Sequence, residues 1–89
     1  MNKHEARLAI RSKASVGAVI FSTHAEDEML ECDASTLDVL EALSNCTSCF
    51  RQENGTWYAR GPSLEGVELA IIVEILESLI VVTVFEYGK

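Results

Sequence analysis

The stretch that decides the fold is Val67-Glu68-Leu69-Ala70-Ile71-Ile72-Val73-Glu74-Ile75. Val67, Leu69, Ile71, Val73 and Ile75 share one parity, and Glu68, Ala70, Ile72 and Glu74 share the other. A strand turns successive side chains to opposite faces, so this period of two predicts a strand with one apolar face. Leu76-Glu77-Ser78 then reads as a tight turn. Leu79 to Tyr87 follows, rich in β-branched and aromatic residues that suit a pleated, half-buried surface. Upstream, Thr47 to Glu53 and Thr56 to Arg60 flank Asn54-Gly55, a dipeptide that favours two-residue hairpins. Gly61 to Gly66, holding the lone Pro62, reads as a loop.

The first half of the chain has a different rhythm. Asn2 to Ala14 is made of good helix formers, and Lys3, Arg7 and Arg11 recur every four residues as one stripe. Ala18-Val19-Ile20-Phe21 reads as a brief strand. Ser22 or Thr23 caps a helix running from His24 to about Cys32, with Glu26, Asp27 and Glu28 in its first turn, where acids complement the positive helix end. Ser35 to Asp38 has capping-box spacing with Asp in place of Glu. Leu37, Val39, Leu40 and Leu43 then form the buried side of a helix ending near Asn45. Helices first and strands after predict an α+β fold, with N-terminal helices packed on a C-terminal antiparallel sheet of about four strands.

The 89 residues are enough for one domain, spanning 1–89, and 48% of them are apolar, too many for a disordered acidic tail. The most apolar stretch, 67–87, is interrupted by Glu68, Glu74, Glu77 and Glu86, so it does not read as a membrane span. No signal-peptide pattern opens the chain, and three cysteines cannot form a complete disulfide framework. Free thiols in a reducing cytoplasm are the expectation. The net charge is −7, and residues 14–88 hold thirteen acids against Arg51 and Arg60 alone. Such a surface repels phosphate backbones, leaving the first segment, with Lys3, Arg7, Arg11 and Lys13, as the one candidate basic footprint for RNA.

Few residues carry recognisable chemistry. Cys46-Thr47-Ser48-Cys49 has the spacing of half a zinc site, but Cys32, His24 and His4 offer no second close pair, and buried thiols are the expectation, with no metal or other cofactor. His24, at a strand-to-helix junction, is placed to act as a general base near neutral pH or, equally, to bond a backbone group. If the hairpin closes on two residues, Arg51 and Arg60 lie further down its arms, on one sheet face with Tyr58. Two guanidiniums and a phenol would suit a phosphodiester; the alternative is that each arginine pairs with a nearby acid. The acids of 26–33 suit a cation or a basic partner, or simply form a solvated helix face.

The order of elements and several short motifs resemble a known group. Phe21-Ser22-Thr23-His24-Ala25 with Met29, then Ser35 to Leu43, then a hairpin and the closing pair Glu68 to Val73 and Ile80 to Glu86, are similar to small bacterial toxins of the RelE superfamily. The likeness is to MqsR-like mRNA interferases and an uncharacterised sister family, and spans roughly residues 5–87. It implies the toxin or toxin-like half of a type II toxin–antitoxin pair. The partner would be a cognate antitoxin, often one with a zinc-finger or helix-turn-helix domain. The implied chemistry is metal-free mRNA cleavage, in which a ribose 2′-hydroxyl attacks the adjacent phosphate. By position, Phe50-Arg51 resembles the family's aromatic–basic pair and makes Arg51 the phosphate stabiliser. Tyr58 falls at a polar catalytic position, and His24 matches a histidine of the sister family. Arg60, Lys3, Arg7 and Arg11 would contact the substrate. The chain departs from the pattern at Phe85-Glu86, where the family places a basic catalytic residue, and at Leu69, near the place of a catalytic tyrosine. A second expectation follows from the acidic balance: the same fold without catalysis, an interaction module for a basic protein partner.

Overall fold

The computed structural model describes residues 1–88. The elements are α1 (Lys3–Ser15), β1 (Val19–Phe21), α2 (Thr23–Glu31), α3 (Thr36–Ser44), β2 (Ser48–Arg51), β3 (Trp57–Pro62), β4 (Glu68–Ile75) and β5 (Leu79–Glu86). The expected α+β architecture is present. The sheet has five strands in the order β1-β5-β4-β3-β2, one more than expected, because β1 joins β5 in parallel while the other pairs are antiparallel.

Alternation along β4 puts Leu69, Ile71 and Val73 into the core, all within 2% of full burial. They meet Ala6, Ile10 and Ala14 of α1, Ala25 and Met29 of α2, and Val39, Ala42 and Leu43 of α3 in one apolar cluster. The helices therefore cover one face of the sheet and leave the other uncovered. Their starts are fixed by short polar side chains. The Asn2 Oδ1 accepts the Glu5 N–H at 2.9 Å, the Ser22 Oγ accepts the Ala25 N–H at 3.0 Å, and Ser35 with Asp38 completes the expected capping box. α2 stops in a Schellman arrangement, with Ala34 N–H donating to Met29 O at 2.8 Å and Asp33 N–H to Leu30 O at 3.3 Å.

The β2–β3 hairpin differs from the expected two-residue turn, and the β3–β4 connection is shorter than the expected 61–66 loop. Gln52 N–H donates to Thr56 O and Gly55 N–H to Gln52 O, so the loop is Glu53-Asn54-Gly55. Ser63, Val67 and Gly66 repeat that pattern around Leu64-Glu65-Gly66. Gly55 and Gly66 have φ of 88° and 85°, the left-handed geometry that closes a three-residue loop with a glycine bulge. Gly61 and Pro62, expected in a loop, are instead the end of β3. The extra loop residue shifts the register by one: Arg51 pairs with Trp57, and Phe50 with Tyr58.

Asp38 ties two parts of the fold together. Its Oδ2 accepts the Ser35 N–H and hydroxyl, each at 3.0 Å, and its Oδ1 accepts the Leu64 N–H of the β3–β4 loop at 3.2 Å. The Ser35 backbone bond, foremost, holds its carboxyl below the ordinary 3.8. A lowered folded-state value contributes stability above the ordinary value and loses it as pH falls through the folded one. Asp38→Asn should therefore melt below the wild type at neutral pH, with the gap closing as pH falls below the ordinary 3.8, as read by thermal unfolding across pH.

Candidate functional site

The register shift decides where the arginines go. Residues paired directly across two strands share a face, so Arg51 stands with Trp57 on the helix-bearing side, while Tyr58 and Arg60 stand on the uncovered side. The expected grouping of Arg51, Arg60 and Tyr58 on one face is not formed, because one residue of register turns every side chain over. Arg60 sits with its Cζ 4.0 Å above the Tyr87 ring and its Nε 3.7 Å from Glu68 Oε1, so for this arginine pairing with an acid holds. Tyr58 stacks on Phe50 at 4.7 Å and meets Phe85 edge-on at 6.1 Å.

His24 lies elsewhere. It sits in the first turn of α2, exposed, with Nε2 3.3 Å from Glu28 Oε1. That carboxylate oxygen also accepts the Val84 N–H at 3.1 Å. β5 needs this acceptor because β1 ends at Phe21 and leaves the rest of that edge unpaired. A bulge at Val82, between the Val81–Val73 and Thr83–Ile72 pairs, lies beside it, and the Val82 carbonyl accepts the Ser22 hydroxyl at 3.3 Å. Two strand spacings, about 10 Å, separate β3 from β5, and α2 lies beyond. The base, phenol and guanidinium named for RNA cleavage are thus on α2, on the open face and on the covered face respectively. Acid–base catalysis needs such groups within hydrogen-bonding reach of one reacting centre.

Lys3, Arg7 and Arg11 lie along α1, on the covered side. Lys3 O accepts the Cys49 thiol at 3.4 Å, and the Arg7 charge is felt at both Cys46 and Cys49. Burial, foremost, pushes both thiols up, which leaves them protonated and poorly nucleophilic. Among the described residues, no group of three or more His, Cys, Asp or Glu is arranged to hold a metal ion. No helix among them is long and apolar enough to cross a membrane.

A concavity lies where α2 ends against the sheet, and no single motif announced it. A cleft of about 360 Å³ includes Asp38, Glu65, Val67 and Leu69 in its lining. It adjoins a second of about 320 Å³ by Glu28, Val84 and Phe85, and Glu31, Cys32 and Glu86 line both. Val67, Leu69 and Val84 give the pair an apolar floor. Six carboxylates wall it, from Glu28, Glu31, Asp33, Asp38, Glu65 and Glu86, and among the described residues no Lys, Arg or His lines either part. The field of this wall reaches Cys32: burial raises its thiol first, and the charges of Glu86 and Glu28 raise it further. The acids come from α2, from the turn after it, from α3, from the β3–β4 loop and from the end of β5, so only folding assembles them. Comparison with protein-family models, curated proteins and solved structures returns no match for the chain.

Proposed function

We propose that this domain is an acidic interaction module, cytoplasmic, that engages a Lys/Arg-rich segment of a protein partner in the cleft beside α2. The observation that carries the reading is a wall of carboxylates from Glu31, Asp33, Asp38 and Glu65 over an apolar floor, lined by no Lys, Arg or His among the described residues. Long basic side chains lay their methylene stems on such a floor and present their charges to the wall. Complementary charge also speeds encounter and excludes acidic competitors. In the toxin-like setting that the sequence resemblance implies, the partner is a cognate antitoxin with a basic segment.

The test measures binding of a Lys/Arg-rich peptide to the purified chain by fluorescence anisotropy across salt concentrations. Affinity should fall as salt rises, and a Glu31→Lys, Glu65→Lys variant should bind at least tenfold more weakly. Absence of binding at low salt overturns the reading.

The second reading is the metal-independent mRNA endoribonuclease. One observation favours it: Tyr58 and Arg60 share the open face with the Phe50 ring. Growth arrest on inducing the chain alone, relieved by His24→Ala with Arg51→Ala at equal expression, would favour a toxin that needs at least one of those residues over the module.

A further inference from the structure

The uncovered face of the sheet carries apolar and aromatic side chains from edge to edge. Ile20, Ile80, Phe85 and Phe50 stand on it with Ile72 and Tyr58, and Phe50, Phe85 and Ile20 are 45%, 37% and 55% exposed. Contiguous apolar patches of this extent on soluble chains mark interaction surfaces. We propose that the occupant is a second copy of this chain, packed sheet against sheet about a two-fold axis.

Width is the first argument. Five strands span about 24 Å, whereas a helix with its side chains is about 10–12 Å across and covers two of them. A second sheet of the same width covers the face completely. Over about 20 Å of strand length the flat projection is about 500 Å² per copy. Side-chain relief raises that toward the lower end of a standard interface, which sets the expectation at a reversible dimer.

Charge is the second argument. The register aligns Phe50, Tyr58, Ile72 and Thr83 in one row across the sheet. Glu74 lies two residues from that row on β4; Ala70, paired with Arg60, lies two residues from it in the other direction. An axis along the row turns one copy over and reverses its strands. It brings Glu74 of each copy against Ala70 of the other, one strand over from Arg60, and Ile80 against Phe85. Glu74 is exposed and has no ion pair among the described residues, and the Arg60 side chain, 31% exposed, is the cation nearest to it across the axis. Each copy thus brings a cation toward the other's Glu74. The face has Arg60 as its one cation among the described residues, already beside Glu68, so the aromatic row lacks the Lys and Arg that single-stranded RNA needs for its phosphates. The dimer buries Tyr58 and Arg60 and leaves the part of the acidic cleft lined by Asp38, Glu65 and Leu69 to its own partner.

Sedimentation equilibrium on the full chain tests this over a wide concentration range. The mass should rise from 9.8 kDa toward twice that value. Phe50 lies on the axis row and meets its own copy, so Phe50→Glu sets like charges together and should weaken association at least tenfold, with thermal unfolding confirming a folded chain. Glu74→Arg and Arg60→Glu should each weaken self-association to a similar degree. Mixing those two variants restores both contacts, and association should return. A chain that stays at 9.8 kDa at every concentration overturns the proposal. So does association that the folded Phe50→Glu variant leaves unchanged, or a mixed pair that fails to recover. Binding of a single-stranded oligoribonucleotide to the monomer, lost in Phe50→Glu, would assign the face to RNA instead.

Discussion

Replacing Gly61 with alanine is expected to destabilise the protein by about 3 kcal/mol or more, enough to lower the melting temperature by roughly 12–24 °C in a domain of this size. Gly61 is buried in β3, and α3 crosses it so closely that an added Cβ would overlap the Ala42 carbonyl oxygen and lie 2.8 Å from its carbon. The φ of Gly61 is not in the left-handed region, so the backbone conformation itself suits alanine. At an open strand position of that kind, Gly→Ala stabilises by about 0.4–1 kcal/mol through the unfolded chain. Here the sign reverses because of what faces the strand. The obstruction is backbone, not the Ala42 methyl, so Ala42→Gly should fail to rescue Gly61→Ala. Thermal melts of the two single variants and the double one decide the point. Rescue by Ala42→Gly would place the close approach at the side chain and overturn the account.

That close approach also marks the limit of what the chain discloses before folding. Gly61-Pro62 reads as a loop because both residues interrupt regular structure, and nothing local reveals that a helix must pass over Gly61. The capping box at Ser35 and Asp38 and the alternation of β4 are legible because each depends on neighbours in sequence. Register is less so. Asn54-Gly55 correctly marks a hairpin, yet the loop takes Glu53 as a third residue, and that single residue sends Arg51 to the face opposite Tyr58. The bulge at Val82 has no glycine to announce it, and the parallel pairing of β1 joins residues sixty apart. For the same reason the acidic cleft is invisible as a motif: its carboxylates come from five separate segments. What the sequence does disclose is the imbalance from which such a wall is built, thirteen acids against two arginines over residues 14–88.

The facing of β4 yields the other large effect. Ile71 is fully buried, between Ala59 and Val84 on the neighbouring strands, and Ile72 beside it is half-buried on the uncovered face. Ile71→Asp removes a core side chain, at about 2–5 kcal/mol for truncation alone. It also strands a carboxylate among apolar neighbours, for several kcal/mol more. A domain of this length has a total stability of about 4–13 kcal/mol, so the variant should not fold, and its soluble yield and far-UV circular dichroism should collapse. Ile71→Val, which trims one methylene, should cost about 1 kcal/mol and stay folded. Ile72→Asp carries the same charge one residue along the same strand. It reaches solvent on the open face and should leave a folded chain, while opposing self-association because it lies on the proposed symmetry row. A well-folded Ile71→Asp protein would refute the assignment of the buried face. Collapse of both variants would mean that the second face is buried within the monomer too, and no surface would remain there for a second copy.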